Sequence, residues 1–255
     1  MLRVGIQTNV WSPERHQDLP KVLAEIRDAG YEGFEVGAHR IDLSRPDLLF
    51  AWAMHHRLSV VALHVHAELH NPQWFNAAAR AHIERVATVA SEVVAPYMPI
   101  SGKAKPNKTA DDYRIEAETL NQIGALAQQQ AVRLCYHNHY WEIENDAREL
   151  RYLVAHTGPA LVSFALDVGW VHRGGQNVGA IVAELLPRIG YFHVKDYRGE
   201  QFTELGQGMV PFAELFEAIK PRADFWLIVE RDEVLPNALE SALTCRTYLR
   251  EQFGF

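Results

Sequence analysis

The chain has few of the features that mark secreted or membrane-bound proteins. Only two cysteines, Cys135 and Cys245, occur in 255 residues. Two isolated thiols do not make a disulfide framework, and they are typical of a reducing compartment such as the cytoplasm. No stretch approaches about 18 uninterrupted apolar residues, so we expect no membrane span. The segment MLRVGIQTNVW lacks a charged leader followed by a long apolar stretch, and it therefore predicts no signal peptide.

Positive charge is also scarce. The chain has 25 Lys and Arg residues against 32 Asp and Glu residues, which gives a formal net charge of −7. Proteins that bind nucleic acids normally carry a basic face, so this balance argues against a nucleic-acid partner. No G-x-G-x-x-G motif follows the first predicted strand, which argues against a doubly wound, dinucleotide-binding sheet.

What the chain does have is a regular alternation of strand and helix patterns. Hydrophobic residues make up 48% of the sequence, and a length of 255 residues is usual for one (β/α)8 barrel. Eight short runs rich in β-branched and aromatic residues are mostly apolar on both faces, as buried parallel strands should be. We therefore predict an α/β fold, a single (β/α)8 TIM-barrel domain over residues 1–255. Its predicted strands are 4–8, 31–36, 59–65, 93–100, 132–137, 161–167, 191–194 and 225–230.

Four of these strands, all in the second half of the chain, end in residues that are common metal ligands. The polar ends recur every 26 to 37 residues, the length of one strand–loop–helix–loop unit. The carboxyl ends of parallel barrel strands meet at one face, where α/β barrels build their active sites. We therefore expect one metal site containing His137 or His139 from RLCYHNH, Asp167 from VSFALDVGW, His193 from GYFHVKD and Glu230 from WLIVERD.

Each of these residues also has an ordinary structural explanation. Asp167, at an abrupt strand end, could cap a helix or join a salt bridge at the barrel mouth. His193 could be a hydrogen-bonded core histidine. Glu230 could form an internal ion pair with Arg231 or Lys195. The hypothesis of a metal site draws on the four residues together, because all lie at strand C-terminal ends.

The fifth-strand ligand is ambiguous. His137 and His139 lie two positions apart and share a face of the strand, so either could reach the metal and only one need do so. Two imidazoles and two carboxylates suit a borderline divalent metal ion. Mn²⁺, Co²⁺, Fe²⁺ or Zn²⁺ therefore fits this ligand set better than Mg²⁺, which prefers oxygen ligands.

Further polar residues at strand ends are candidates for substrate contacts. Glu35 ends the second predicted strand, where it could bind a hydroxyl group or cap the next helix. His64 and His66 alternate on the third strand and have either a substrate-binding or a structural role. Lys195 lies two positions from His193 and points to the same side of its strand. The predicted substrate-binding residues are Glu35, His64, His66, His139, Lys195 and Arg231.

In this order, the motifs resemble those of the sugar phosphate isomerase/epimerase superfamily, the xylose-isomerase-like barrels. The resemblance covers essentially the whole chain. It implies a barrel fold with metal ligands at the ends of strands five to eight, which correspond here to His137, Asp167, His193 and Glu230. The most specific segments are YEGFEVG (31–37), YHNHYWE (136–142), ALDVGW (165–170), FHVKD (192–196), FTELGQGMVPF (202–212) and IVERD (228–232).

The chain departs from the family pattern at the fifth strand. Many members have a glutamate ligand where this chain has His137. In the family's epimerases, that glutamate and the one on the eighth strand act as paired bases on opposite faces of the substrate. The departure speaks against symmetric two-base epimerisation. Glu142, five residues later, could partly compensate for the missing glutamate. The histidine-rich motif at the fifth strand of this chain also resembles the corresponding motif of inosose dehydratases.

The leading hypothesis is a metal-dependent sugar or polyol isomerase or epimerase that removes a proton next to a carbonyl. Glu230 is the first choice of base, with His137 and Glu142 as alternatives, and Lys195 could neutralise an oxyanion. A keto-sugar or inosose dehydratase, which begins with the same proton abstraction, is the close alternative. A non-catalytic sugar-binding barrel is a third hypothesis. Abasic-site endonucleases share the fold but need a basic DNA groove.

The expected partner is a small sugar, polyol or sugar phosphate. For a phosphate, the loop ELGQGM (204–209) could present backbone N–H groups. Lys103, Lys105 and Lys108 form either a basic cluster for the same purpose or a solvated loop. The sequence does not identify the substrate or its phosphorylation. It is compatible with a homo-oligomer as well as with a monomer.

Overall fold

The computed structural model describes residues 2–222 and 224–255. Its strands are β1 (Arg3–Gln7), β2 (Gly33–Gly37), β3 (Ser59–His66), β4 (Tyr97–Ser101), β5 (Arg133–His137), β6 (Val162–Asp167), β7 (Ile189–Val194), β8 (Asp196–Arg198), β9 (Gln201–Thr203) and β10 (Trp226–Val229). All except β8 and β9 form a closed barrel of parallel strands, in which β10 closes the ring between β7 and β1. This confirms the predicted (β/α)8 TIM barrel.

The α-helices surround this barrel and follow the strands in turn. None of the helices in residues 2–222 and 224–255 is both long enough and apolar enough to cross a bilayer. The helices are α1 (Pro13–His16), α2 (Leu19–Asp28), α3 (Pro46–His55), α4 (Ala77–Glu92), α5 (Ala110–Gln129), α6 (Tyr140–His156), α7 (Val168–Arg173), α8 (Val178–Leu185), α9 (Phe212–Ile219) and α10 (Ala238–Phe253).

Two elements differ from the sequence prediction. The fourth strand begins at Tyr97 rather than at residue 93, because α4 ends at Glu92 and Val94 adopts a left-handed turn conformation with φ 59°. The residues before Tyr97 are therefore a connection and not part of the strand, with Val93 and Ala95 buried and Val94 exposed. In addition, β8 and β9 form an antiparallel hairpin beyond the end of β7, where no strand was predicted.

The interior of the barrel is filled by its own layer of side chains. Side chains alternate along a strand, so Tyr191 points inward on the same face as His193 two residues later. This layer forms a packed floor below the C-terminal ends of the strands, and it leaves the polar strand ends as the lining of the barrel mouth. The layer consists of Val61, Ala62, Cys135, Ala165, Tyr191, Trp226 and Ile228, with Tyr97 packed against it.

Candidate metal centre

Four buried side chains converge where β5, β6, β7 and β10 end. Each offers one ligand atom, and these four atoms all lie within 4.8 Å of one another. Parallel pairing brings the residues level, since Asp167 is the register partner of His193 across β6 and β7. The exposed fraction is at most 6% for each of the four residues. They are His137, Asp167, His193 and Glu230.

His137 faces the centre of this group with one ring nitrogen. Its Nε2 atom lies 3.4 Å from Oδ2 of Asp167 and 3.4 Å from Oε2 of Glu230. Its other nitrogen, Nδ1, lies 3.2 Å from the hydroxyl oxygen of Ser101, the last residue of β4. The ring is thus held from behind, with Nε2 directed at two carboxylates.

His193 is arranged in the same way. Its Nδ1 atom lies 2.7 Å from Oε2 of Glu230, and its Nε2 atom lies 3.0 Å from Oε2 of Glu35. A metal-ligating histidine commonly donates its second ring N–H to a carboxylate or another acceptor, which fixes the tautomer and the ring orientation. Both histidines have such an outer partner, Ser101 for His137 and Glu35 for His193.

Two of the inward-facing atoms lack hydrogen bonds. His137 Nε2 and Asp167 Oδ2 are buried, and neither has a partner of good hydrogen-bond geometry among the described residues. The other carboxylate oxygen of Asp167 accepts a hydrogen bond from the backbone N–H of Trp170 at the start of α7, at 2.9 Å. Buried polar atoms without hydrogen bonds are costly. The ammonium of Lys195 lies 3.0 Å from Asp167 Oδ2 and partly balances its charge, and a divalent cation would bind both atoms at once. The residues present therefore fit a metal ion, and this buried group could bind one.

Glu35 connects the group to the rest of the barrel mouth. Its carboxylate accepts hydrogen bonds from Gln7 Nε2 at 2.8 Å and Tyr191 Oη at 2.7 Å, and it contacts His64 Nδ1 at 2.9 Å and His193 Nε2 at 3.0 Å. Burial alone would raise the pKa of Glu35, but His193 and His64 hold it well below its usual range. Glu35 is thus an ionised anchor, and both of its oxygens are already engaged.

His64 extends this connection to His137. Its Nε2 atom lies 2.7 Å from the hydroxyl oxygen of Ser101, which in turn contacts His137. A continuous hydrogen-bonded chain therefore runs from Glu35 through His64 and Ser101 to His137. The orientations of both inward-facing histidines consequently depend on Glu35.

Lys195 places a buried positive charge against the same carboxylates. Its Nζ atom lies 3.0 Å from Oδ2 of Asp167 and 2.9 Å from Oε2 of Glu230, and it also pairs with Asp232. Burial would lower the pKa of Lys195, but these three carboxylates raise it above its ordinary value. Gly169 makes room for the side chain, because a Cβ atom at that position would lie 2.4 Å from Lys195 Cγ.

The charges of the group are strongly interdependent. Burial would lower the pKa of His193, but Glu35 and Glu230 raise it to about 10. Burial would likewise raise the pKa of Glu230, but Lys195 and the two histidines hold it well below its usual range. Metals bind the neutral imidazole, so a cation bound at this group would displace a proton from His193.

A small cavity of about 160 Å³ opens in front of the group. Besides His137 Nε2, two atoms of its lining residues have no hydrogen-bond partner among the described residues: Asn9 Oδ1 and His139 Nδ1. Asn9 also donates a hydrogen bond to Oε1 of Glu230, at 3.3 Å. The cavity thus combines a candidate base with unpaired hydrogen-bonding atoms. Its lining residues are Gln7, Asn9, Gly37, His39, Arg40, His64, His66, Ser101, His137, His139, Glu230 and Asp232.

Two residues expected at the site lie elsewhere. Glu142 is fully buried and closes a capping box at the start of α6, where it accepts hydrogen bonds from Tyr136 Oη at 2.8 Å and from the backbone N–H of His139. Arg231 pairs with Glu204 and Glu233. Neither residue lines the cavity. His139 and Glu142 take the positions of a capping box, but histidine is not among the N-cap residues that mark this motif in a sequence.

The groups expected to bind a phosphate are used internally. The backbone N–H groups of Gly206, Gly208 and Val210 donate to the carboxylate of Asp196, at 2.9, 2.9 and 3.1 Å. A Cβ atom at Gly208 would lie 2.0 Å from Asp196 Oδ1, so glycine is required there. The loop 204–209 therefore already holds an anion, one supplied by its own chain.

The three lysines of the fourth loop are likewise paired. Lys105 contacts Asp112 at 2.7 Å, and Lys108 contacts Glu116 at 2.7 Å. Lys103 pairs with an acidic residue as well, Glu68. These ion pairs attach the loop to neighbouring segments, and none of the three lysines lines the cavity.

Several cavity residues were missed from the sequence. Ser101 ends β4, and the end of a barrel strand was the one available signal for it. Asp232 lies in the segment IVERD, which was considered only for Glu230. Gln7 ends the first strand, and Asn9 and Arg40 lie just beyond the first and second strands. A single polar residue in such a position is too common to stand out.

Comparison with known proteins places the chain in a family. The model of the xylose isomerase-like TIM barrel matches residues 23–250. This confirms the resemblance drawn from the sequence. Inosose dehydratase 1 of Bacillus cereus is 31% identical over 175 residues, which cover 60% of this chain and 58% of that protein. The chain thus spans less than two thirds of the length of that curated relative.

Solved structures share the fold over nearly the full chain. A sugar phosphate isomerase/epimerase from Parabacteroides distasonis superimposes with a TM-score of 0.79 at 20% identity, covering 97% of this chain and 93% of that one. D-allulose 3-epimerase from Methylomonas, in complex with D-allulose, superimposes with a TM-score of 0.80 at 17% identity, covering 99% and 97%. At these identities the likeness is one of fold.

Proposed function

The chain belongs to the xylose isomerase-like TIM-barrel family, and on this premise we propose that it is a divalent-metal-dependent sugar or polyol isomerase or epimerase. The reaction would proceed by removal of the proton next to a substrate carbonyl. We further propose that residues 1–255 form one domain. The buried free thiols of Cys135 and Cys245 support a cytoplasmic location.

The observation that carries this proposal is the convergence of four buried ligand atoms within 4.8 Å of one another. We propose His137, Asp167, His193 and Glu230 as the metal ligands. His137 is preferred to His139 because its Nε2 atom faces two carboxylates, whereas the ring of His139 stacks on Trp141 with centroids 4.3 Å apart. Two imidazoles and two carboxylates favour Mn²⁺, Co²⁺, Fe²⁺ or Zn²⁺ over Mg²⁺.

Glu230 is the proposed base. Its Oε2 atom contacts His193 and Lys195, whereas its Oε1 atom accepts only a long hydrogen bond from Asn9 among the described residues. Oε1 is therefore the oxygen free to approach a substrate C–H. When bound, a divalent cation would polarise the carbonyl and lower the pKa of the neighbouring C–H. The buried ammonium of Lys195 would stabilise negative charge that develops beside Glu230.

Two further histidines are proposed to bind substrate hydroxyl groups. Burial lowers the pKa of His139 to about 2 and that of His66 to about 4. Both rings are therefore neutral near pH 7, and each can donate one hydrogen bond and accept another. Both line the cavity. Glu35 and His64 are proposed to position the ligands and not to touch the substrate.

A dehydratase acting on a keto-sugar or inosose is the second candidate, and one observation favours it. Among the described residues, Glu230 and Asp232 are the carboxylates that line the cavity, and Asp232 is paired with Lys195. Two-base epimerisation needs a second free base on the opposite face of the substrate. Dehydration needs one base and a departing β-hydroxyl group. The similarity to relatives named inosose dehydratase also supports a dehydratase.

One experiment separates these functions. The purified protein is analysed for bound metal, loaded with Mn²⁺ or Co²⁺, and incubated in D₂O with a panel of ketoses and inososes. A deuterated isomer supports the isomerase, and a dehydrated enone supports the dehydratase. A metal-loaded protein that binds sugars but neither exchanges a proton nor releases water would support the third hypothesis, a sugar-binding barrel, and would overturn both enzymatic ones.

A further inference from the structure

A second and larger cavity adjoins the proposed substrate site. Its volume is about 470 Å³, against about 160 Å³ for the cavity in front of the proposed ligands. Typical pockets for small ligands measure roughly 300–1,000 Å³, so the smaller cavity alone is below the usual range. The two cavities share the side chains of His39 and Arg40 as lining. Both residues belong to the short 3₁₀ segment Ala38–Arg40 that directly follows β2.

Arg40 is the notable group at this junction. Within residues 2–222 and 224–255, no carboxylate lies within 4.0 Å of its guanidinium nitrogens. The side chain is half-buried. A guanidinium presents a planar fork of N–H donors that matches a carboxylate or a phosphate. Leaving such a group partly buried and unpaired at the mouth of a site is unusual for a residue without a ligand.

The other lining residues do not neutralise Arg40. Asp42 lines the larger cavity, but its Oδ1 atom accepts hydrogen bonds from the backbone N–H and the hydroxyl group of Ser44, at 2.8 and 2.6 Å. The ring nitrogens of His16 contact Ser12 O at 2.9 Å and Thr8 Oγ1 at 3.0 Å. His16 is therefore engaged at both ring nitrogens, whereas the guanidinium of Arg40 has no carboxylate partner among the described residues.

His39 forms the partition between the two cavities. Its ring folds back over Gly37, since a Cβ atom there would lie 2.6 Å from His39 Cε1. On the other side, the ring centroid of His39 lies 5.9 Å from that of His66, which lines the smaller cavity. Because Arg40 lines both cavities, a substrate that contacts His66 in the smaller cavity would lie beside the same guanidinium.

We propose that the larger cavity binds an anionic substituent of the substrate, a carboxylate or a phosphate, through the guanidinium of Arg40. The proposal rests on the proposed function, which assigns the adjoining cavity to the substrate. It narrows the substrate class to sugars or polyols that carry a negative charge at the end remote from the reacting carbon. His39 and Ile41 form the walls beside this charge.

The test uses simple anions, so that it does not depend on turnover. Inorganic phosphate and acetate are titrated separately into chelator-treated protein and into metal-loaded protein, at constant ionic strength, by calorimetry. The variants are Arg40→Gln, Arg40→Lys and Arg250→Gln. The last removes the same charge from an exposed arginine on α10. Thermal melting of each variant confirms that it is folded.

We expect Arg40→Gln to weaken anion binding about tenfold or more, the effect of losing a charge-assisted hydrogen bond. Arg40→Lys should lose less, and Arg250→Gln should match the wild type. A stronger Arg40 dependence for phosphate than for acetate identifies a phosphate, and the reverse identifies a carboxylate. Equal binding by the wild type and Arg40→Gln, or no binding by the wild type in the millimolar range, overturns the proposal.

A second measurement keeps this inference apart from the proposed function. If any ketose is turned over, neutral and anionic forms of it are compared in the wild type, Arg40→Gln and Arg250→Gln. Arg40→Gln should lose the preference for the anionic form, and Arg250→Gln should keep it. If no substrate is turned over, the proposed function fails, while the anion titration still decides whether Arg40 forms a binding site.

Discussion

The Nε2 atom of His193 lies 3.0 Å from a carboxylate oxygen of Glu35, a residue 158 positions earlier in the chain. The two strands that carry them, β7 and β2, are not neighbours in the barrel. The contact therefore crosses the barrel mouth. It orients the ring so that Nδ1 faces Glu230. The geometry of a proposed ligand is thus set from the opposite side of the barrel.

The first prediction follows from this contact. Glu35→Gln keeps the side-chain volume but replaces one acceptor oxygen by an NH₂ group, which cannot accept from the histidines. We expect the affinity for a divalent cation to fall by roughly 10–100-fold, as is typical of partners that orient metal ligands. Competition with a chromophoric chelator measures this. Glu118→Gln, on the exposed face of α5, is the control. An unchanged affinity in Glu35→Gln would show that Glu35 does not position His193 for a metal.

The second prediction concerns Asp167. Asp167→Asn retains an oxygen to accept the N–H of Trp170 and cap α7, but it removes the charge that faces His137 and Lys195. Metal occupancy should fall well below one ion per chain, while the fold stays intact. Elemental analysis together with circular dichroism tests this expectation. Full occupancy in a folded Asp167→Asn protein would count heavily against the proposed ligand set.

The third prediction concerns the proposed base. Glu230→Gln has nearly the same volume but cannot accept the proton. We expect solvent-deuterium exchange into a bound ketose to fall at least ~10²-fold, the typical effect of losing a general base. Metal binding should weaken too, so excess metal must restore occupancy before rates are compared. If the metal-loaded variant exchanges at nearly the wild-type rate, Glu230 is only a ligand.

The fourth prediction concerns pH and Glu142. Burial raises the pKa of Glu142 to about 8. Between its unfolded value near 4.5 and about 8, the folded protein keeps a proton that the unfolded chain has released. This residue therefore makes the wild type lose stability as pH rises through that range, and its contribution is fully present below about 4.5. Glu142→Gln cannot titrate there.

The stability of Glu142→Gln relative to the wild type should consequently increase from pH 5 to pH 8. Chemical denaturation at several pH values measures the difference, and the comparison cancels the other titrating groups. A difference that stays constant over this range would mean that Glu142 is ionised in the folded protein. The second-base role considered for it from the sequence would then merit renewed study.

The sequence predicted the barrel because its strands are continuous apolar runs with abrupt polar ends. Asp167 and His193 were predictable as neighbours for that reason, since equivalent ends of adjacent parallel strands meet. The choice between His137 and His139 was not predictable from alternation, because both positions lie on one face. The structure separates them because β5 ends at His137 and His139 is already the N-cap of α6.

Hydrogen bonds between side chains on different strands of the barrel could not be predicted from the sequence. Ser101 and Glu35 contact residues 36 and 158 positions away, respectively, and no periodicity encodes such pairs. Arg231 illustrates the opposite case. Its position next to Glu230 suggested a role at the site, but both residues lie beyond the end of β10, and the guanidinium of Arg231 reaches Glu204 instead.

The carboxylate of Asp196 has a consequence for how this barrel can be altered. It accepts hydrogen bonds from backbone N–H groups 10, 12 and 14 positions further along the chain. Asp196 itself directly follows Lys195 in the sequence. Gly208 leaves the space that this carboxylate occupies. Residues 196–210 would therefore have to be exchanged as one segment when loops are transplanted between relatives. A transplanted loop without its own aspartate and glycine would lose its shape and disturb Lys195 at the same time.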